Sequence, residues 1–209
     1  GHTKRIRLGV GVTSPVIRHP GVLATTLATI DELAPGRAVL GLGVGGEMAL
    51  GPFGLGVAHP LAELRNSITT ARHVLAGAPG GGYSPPGHAL PARPVPIWVG
   101  ARGPRLVELA TGHADGLLVS GCTSAERERI VGAVRGVGSA CELALYQSAA
   151  ADTDETTVGW DEIVAVLDGL VARHRPEAIG ISLVELLDGA DPVDLVITAA
   201  ACLTAVNTA

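Results

Sequence analysis

Six short apolar runs, with amphipathic segments between and after them, limit what this chain can fold into. The runs are almost continuously apolar, which is typical of parallel strands buried on both faces. They predict strands at Arg5–Val12, Arg37–Gly43, Val95–Gly100, Gly116–Ser120, Glu142–Gln147 and Ala178–Val184. The amphipathic segments predict helices at His19–Ala34, Pro60–Ala76, Pro104–Thr111, Ser124–Val137, Trp160–His174 and Pro192–Val206. Strict alternation predicts a parallel α/β sheet, as a closed (β/α)8 barrel or an open doubly wound sheet.

Length and charge narrow the classes of function. The 209 residues are 47% hydrophobic, enough for a core, and we expect one domain over residues 1–209. Fifteen basic against 20 acidic residues leave a net charge of −5, which argues against binding to nucleic-acid phosphates. With only 2% aromatic residues, a base-stacking surface is not expected either.

The cysteines and the apolar runs give expectations about the cellular compartment of the protein. Cys122, Cys141 and Cys202 match no disulfide framework or metal-ligand spacing, so we expect a reducing cytoplasm and no metal. No apolar run is long enough to span a membrane. The chain begins without Met and resembles no signal peptide, so we expect residues before Gly1 to be missing or removed.

The first predicted strand contains two glycines and ends in hydroxyl groups. Gly9 and Gly11 within a buried strand predict a bulge or a close backbone approach. Thr13 and Ser14 follow at the same end. His19 lies beside the helix start, where either a structural role or a place in the site is open.

A glycine-rich segment follows the second predicted strand. Gly41–Gly46 satisfies the dinucleotide pattern G-x-G-x-x-G, but the Gly- and Pro-rich residues after it, within a loop predicted at Val44–His59, argue against the required helix. Two interpretations stay open: glycines that let a flat ligand approach the backbone, or a flexible loop without a ligand.

The loop Gly100–Pro104 predicts an anion site. It joins an apolar strand to a helix that Pro104 opens, so free N–H groups and the helix dipole face one point. Arg102 or Arg105 adds positive charge there. A tight turn that needs glycine is the alternative. Asp115 and Arg37 instead precede strands, which in a barrel places them on the face that serves stability.

Four blocks, in this order, resemble the bacterial luciferase-like superfamily. They are RIRLGVGVTSPVIRHP, LATIDELAPGRAVLGLGVGG, RPVPIWVGARGPRLVELATGHADGLLVSG and AIGISLVELL. The branch they resemble is that of coenzyme F420-dependent reductases of the methylenetetrahydromethanopterin-reductase type. The resemblance implies a (β/α)8 TIM barrel that holds a deazaflavin (F420) or, alternatively, FMN at the C-terminal ends of the strands.

The resemblance also implies roles for individual residues. A strand bulge with a non-prolyl cis peptide supports the cofactor ring in this family, and the matching bond is Gly11–Val12, with Thr13 next to it. The cofactor phosphate would bind at Gly100, Ala101, Arg102, Gly103 and Pro104. Val44 and Gly45 would border the ring, and Glu47 is the candidate catalytic acid.

The chain also departs from the family pattern. Its first strand matches the third strand of the family, so about six βα units are present and the first two are missing. Such an incomplete barrel has an unpaired edge, from which we expect a homo-oligomer. The leading hypothesis is an F420-dependent oxidoreductase that transfers hydride between reduced F420 and a small organic substrate. The alternatives are an FMN-dependent monooxygenase and a non-catalytic, shortened flavin-binding or assembly protein.

Overall fold

A six-stranded parallel sheet with helical connections forms the described part of the chain. The computed structural model describes residues 7–87, 90–91, 93–148 and 160–182. The strands are β1 Leu8–Thr13, β2 Ala38–Leu42, β3 Ile97–Gly100, β4 Gly116–Ser120, β5 Glu142–Ser148 and β6 Ala178–Ser182, paired in chain order. This is the sheet of an incomplete TIM barrel, as the sequence predicted.

The helices agree with the sequence pattern except at one point. They are α1 Pro20–Leu33, α2 Glu47–Leu50, α3 Pro60–Leu75, α4 Pro104–His113, α5 Ser124–Gly136 and α6 Trp160–His174. The first turns of α1, α3 and α4 contain the prolines that predicted them. The helix predicted at Pro192–Val206 lies outside the described residues.

The exception is α2, in a segment predicted to be loop. Gly46 caps this short helix, and its carbonyl accepts the Leu50 N–H at 3.0 Å. The helix lasts only four residues, because a 3₁₀ turn at Gly51–Phe53 follows at once. The glycines and the proline therefore limit the length of the helix and do not prevent it.

The sheet has two different faces. Residues on the helix-facing side, such as Leu40, Ile97 and Leu117, are completely buried in the main core. A smaller cluster of Val39, Trp98 and Ala144 lies on the inner side of the sheet. Because successive side chains of a strand point to opposite faces, each strand contributes both to a helix–sheet core and to the lining of the barrel interior.

Contacts between strands that are not neighbours show that the sheet curls. Arg7, just before β1, forms an ion pair with Glu142 at the start of β5, with Nη2 and Oε1 3.1 Å apart. Near the other end, a Cβ on Gly11 of β1 would lie 3.3 Å from the Leu118 side chain of β4. The inner faces of β1 and of the β4–β5 pair therefore oppose each other.

The edge strand β1 is the least covered strand of the described sheet. Leu8 and Val10 are each 39% exposed, although their partners on β2, Ala38 and Leu40, are buried. In the described ranges, no helix is both long and apolar enough to cross a membrane.

Candidate functional site

The bulge predicted in the first strand lies near the C-terminal end of β1. Val10 pairs with Leu40, whereas Thr13 pairs with Leu42, so the register shifts between Val10 and Thr13. The Gly11–Val12 peptide bond inside this shift is cis and does not involve proline. Both features confirm what the strand glycines and the family resemblance predicted.

Val12 explains the glycines on the neighbouring strands. A Cβ on Gly43 would lie 2.6 Å from Val12, and a Cβ on Gly100 would lie 3.0 Å from it. A Cβ on Gly41 would overlap the carbonyl oxygen of Val10. These three glycines therefore make room for the bulged strand.

Hydrogen bonds fix the ends of β1 and β2 together. The buried Ser14 hydroxyl donates to the Val44 carbonyl at 3.1 Å, and the Gly43 N–H donates to the Thr13 carbonyl at 3.0 Å. Gly45 follows with φ +76°, a conformation that favours glycine. Thr13, Val44 and Gly45 thus lie next to the bulge, while Ser14 is used by the fold.

The N-terminus of α4 has no side-chain cap. Gly103 precedes Pro104 with φ −68°, and a Cβ there would have no atom within 4 Å. The Ala101 N–H donates to Leu118, and the Arg102 guanidinium donates to the carbonyl of Gly121. The loop therefore has fixed sides and an open helix end, a geometry that fits a phosphate group.

Glu47, the predicted acid, is exposed at the first residue of α2. Its Oε1 lies 2.8 Å from the position that a Cβ would take on Gly51, so the carboxylate folds over its own short helix. The structure therefore places Glu47 close to Val44 and Gly45 along the chain, with its carboxylate turned toward Gly51.

His19 has a structural role. Its Nδ1 accepts the Gly21 N–H at 3.1 Å, and its Nε2 lies 2.9 Å from the Gly81 carbonyl. Because Nδ1 accepts, the ring proton lies on Nε2 and is donated to Gly81. The histidine caps α1 and holds the loop around Gly81 to it, which resolves the alternatives that its sequence position left open.

Asp115 and Arg37 lie at the other end of the strands, as predicted. Asp115 accepts the Ile97 N–H at 2.8 Å and binds Arg72 at 3.0 Å, and the Arg37 carbonyl accepts the Leu8 N–H at 2.7 Å. These contacts hold strand starts together, which is a role in stability.

Two residues that the sequence analysis did not select are at the functional end of the sheet. Ser120 is the last residue of β4, and it pairs with Tyr146 of β5. Alternation from Leu118 and Ala144, which belong to the inner cluster, places both residues on the inner face. Counting alternate residues backward from each strand end would have found them.

The family model for luciferase-like monooxygenases matches residues 1–177. A 5,10-methylenetetrahydromethanopterin reductase of Methanolobus tindarius is 35% identical over 129 residues, which are 57% of this chain and 38% of that protein. An F420-dependent glucose-6-phosphate dehydrogenase of Nakamurella multipartita is 38% identical over 131 residues, 56% of this chain and 38% of that protein.

A solved structure shows the same fold. The coenzyme F420-dependent tetrahydromethanopterin reductase of Methanopyrus kandleri superposes with a TM-score of 0.59 at 24% identity, covering 100% of this chain and 68% of that one. The chain spans less than two fifths of the length of the two relatives named above. The family match, the bulge and the curled parallel sheet agree, and the chain belongs to the luciferase-like monooxygenase family.

Proposed function

We propose that this chain binds F420 at the C-terminal end of its sheet and transfers hydride between reduced F420 and a small organic substrate. One observation carries the proposal: the β1 bulge and the uncapped N-terminus of α4 lie at the same end of the sheet. One ligand that carries both a flat ring and a phosphate can therefore contact the bulge and the helix end together. Relatives whose names include F420 support this cofactor.

Each part of the site has a distinct task in this proposal. The backbone N–H groups of Arg102 and Gly103, together with the Arg102 guanidinium, bind the phosphate, while the Ala101 N–H stays bonded to Leu118. Gly11 and Val12 support one face of the ring, and Thr13, Val44 and Gly45 border it. When bound, the deazaflavin supplies the hydride chemistry, while the protein orients it and excludes water.

Glu47 is proposed as the acid that gives a proton to the substrate. Its carboxylate must rotate away from Gly51 to do so, which its exposed position allows. The variant Glu47→Gln should retain F420 binding and lose about 10²-fold or more in turnover. An unchanged turnover number would remove Glu47 from the reaction.

Titration with F420 and with FMN, each followed by its fluorescence, tests the proposal. We expect F420 to bind in the micromolar range. If neither cofactor binds below about 1 mM, this chain does not bind a flavin or deazaflavin by itself.

A second candidate function is FMN-dependent oxygenation, which the family to which the chain belongs favours. Oxygen consumption with reduced FMN, compared with reduction driven by reduced F420, separates the two functions. Binding without turnover in either assay would support the third hypothesis, a non-catalytic flavin-binding or assembly protein.

We also propose that the chain acts as a homo-oligomer in a reducing cytoplasm. The half-exposed Leu8 and Val10 of the edge strand support association, and the unpaired Cys122 and Cys141 suit a reducing compartment. Light scattering tests the first statement, since a uniform monomer would contradict it.

A further inference from the structure

The inner wall of the sheet ends in two hydroxyl groups for which the proposed function gives no role. Ser120, the last residue of β4, is paired with Tyr146, two residues before the end of β5, and both side chains are half-buried. Within the described ranges, the structure records no hydrogen bond to either hydroxyl group. The described part of the chain therefore leaves both half-buried hydroxyl groups available to a ligand.

The position of these hydroxyl groups relative to the bulge follows from the strand geometry. A Cβ on Gly11 would lie 3.3 Å from Leu118, so the inner face of β4 is opposite the bulge. Ser120 is two residues beyond Leu118, about 6.6 Å nearer the strand end. Since the bulge supports one face of a flat ring, the other face is turned toward Ser120 and Tyr146.

The chemistry of this wall selects the molecule that can lie against the free face of the ring. The last inward residues of β3 and β4 are Gly100 and Ser120, and Tyr146 is the inward residue of β5 that pairs with Ser120. None of these three residues is charged. Neutral O–H donors suit a neutral oxygen acceptor such as a carbonyl group, whereas a phosphate calls for cationic partners.

We propose that Tyr146, assisted by Ser120, donates a hydrogen bond to the oxygen of a small, uncharged carbonyl substrate that lies between this wall and the cofactor. The inference rests on the proposed function and deepens it by naming a substrate class and a substrate-contacting residue. In the overall reduction, the carbonyl carbon receives the hydride from the reduced cofactor. The oxygen receives a proton from Glu47 or water, and the product is the alcohol.

The first test asks whether Tyr146 lies in the pocket. The chain has two tyrosines, so Tyr83→Phe leaves Tyr146 as the only tyrosine that tetranitromethane can nitrate, and peptide mass spectrometry separates its nitration from reactions at cysteine and tryptophan. Saturating F420 should slow nitration of Tyr146 by about tenfold or more, because a bound ring restricts access to it. An unchanged rate in a chain that F420 fluorescence shows to be saturated would overturn the proposal.

The second test separates a substrate contact from a cofactor contact. Tyr146→Phe should keep the Kd for F420 within about threefold and lower kcat/KM for acetone or cyclohexanone by about 10–100-fold. The matched control Tyr83→Phe should change neither value, because its ring packs against Gly21 and His19. Loss of F420 affinity in Tyr146→Phe would instead make Tyr146 a cofactor ligand and overturn the substrate contact.

Two further outcomes separate a wrong substrate class from a wrong proposed function. If F420 binds, but glucose 6-phosphate reacts and neither ketone does, the uncharged-carbonyl assignment is wrong while the proposed function stands. If neither F420 nor FMN binds, the proposed function fails, and this inference fails with it.

Discussion

The two ends of the sheet are built from different chemistry. Three ion pairs lie at the N-terminal ends of the strands: Arg7–Glu142, Arg72–Asp115 and Arg135–Glu177. The C-terminal ends of β2 and β3 instead have glycines packed around Val12. At the same end, Ser120 of β4 and Tyr146 of β5 have hydroxyl groups to which the described residues make no hydrogen bond. The N-terminal end, called the closed end below, is thus held by side chains that satisfy each other. The C-terminal end, called the open end below, leaves Ser120 and Tyr146 available to a ligand.

The closed end uses the same arrangement twice. Asp115, just before β4, accepts the Ile97 N–H at the start of β3 at 2.8 Å. Glu177, just before β6, accepts the Leu143 N–H near the start of β5 at 2.7 Å. In each case a carboxylate satisfies a backbone N–H of the neighbouring strand. Such contacts make this end a stability region, and three substitutions and one labelling experiment can test the contrast.

The largest effect is expected for Gly41→Ala, at the open end. The new Cβ would overlap the Val10 carbonyl, a backbone atom that can move only if the bulge shifts. We expect the free energy of unfolding to fall by about 3 kcal/mol, measured from the denaturant midpoint. Gly46→Ala is the control, because a Cβ there meets no atom within 4 Å. Equal midpoints for the two variants would show that the glycines are not needed for packing.

A large effect on binding, without loss of stability, is expected for Gly103→Asp. The carboxylate would lie where the cofactor phosphate is proposed, so the Kd for F420 should rise by about tenfold or more. The same aspartate is a favourable N-cap residue for α4, so the thermal midpoint should not fall.

Gly103→Ala is its control, since φ is −68° and the space around Gly103 is open. If the two variants bind F420 equally well, the phosphate does not bind at this helix end.

The sequence predicted the closed end and the open end unequally well. Strand and helix positions followed from apolar periodicity, and the bulge followed from Gly9 and Gly11, because these signals are local. The roles of Asp115 and Arg37 followed from their place before a strand. Local signals therefore predicted the fold and the bulge.

Contacts between distant residues could not be predicted in this way. The ion pair of Arg7 with Glu142 depends on the curl of the sheet, and neither residue has a motif around it. The filling of the space beside Gly43 by Val12 also depends on the cross-strand register. The sequence left these glycines as either a surface for a flat ligand or a flexible loop, and their packing against Val12 is a cause that only the structure could show.

Cys122 and Cys141, the two cysteines in the described ranges, extend the comparison to chemical reactivity. Cys141 lies just before β5, where burial raises the pKa of its thiol to about 11, with further contributions from nearby carboxylates. Cys122 follows β4 at the open end and is partly exposed. At pH 8 we expect iodoacetamide to alkylate Cys122 about tenfold faster or more, measured by peptide mass spectrometry. Unfolding in urea should bring the two rates together, and equal rates in the folded chain would contradict the burial of Cys141.

The smallest effect is expected for Glu177→Gln, at the closed end. Partial burial disfavours the charge, but hydrogen bonds from the Leu143 N–H and from Arg135 outweigh it and hold the pKa of Glu177 below its usual value. A lowered pKa means that ionised Glu177 stabilises the fold at neutral pH, and that this contribution is lost as the pH falls through the folded-state pKa.

Because Glu177 is partly exposed, the variant should lose less than about 1 kcal/mol at pH 7, and its difference from the native chain should shrink toward about pH 3. Denaturant unfolding at both pH values measures this difference. Glu108→Gln, which removes an exposed carboxylate on α4, controls for the loss of a surface charge alone. A difference that stays constant with pH would show that Glu177 stabilises the fold by its shape and hydrogen bonds. The charge of its carboxylate would then contribute less to the closed end than the glycine packing contributes to the open end.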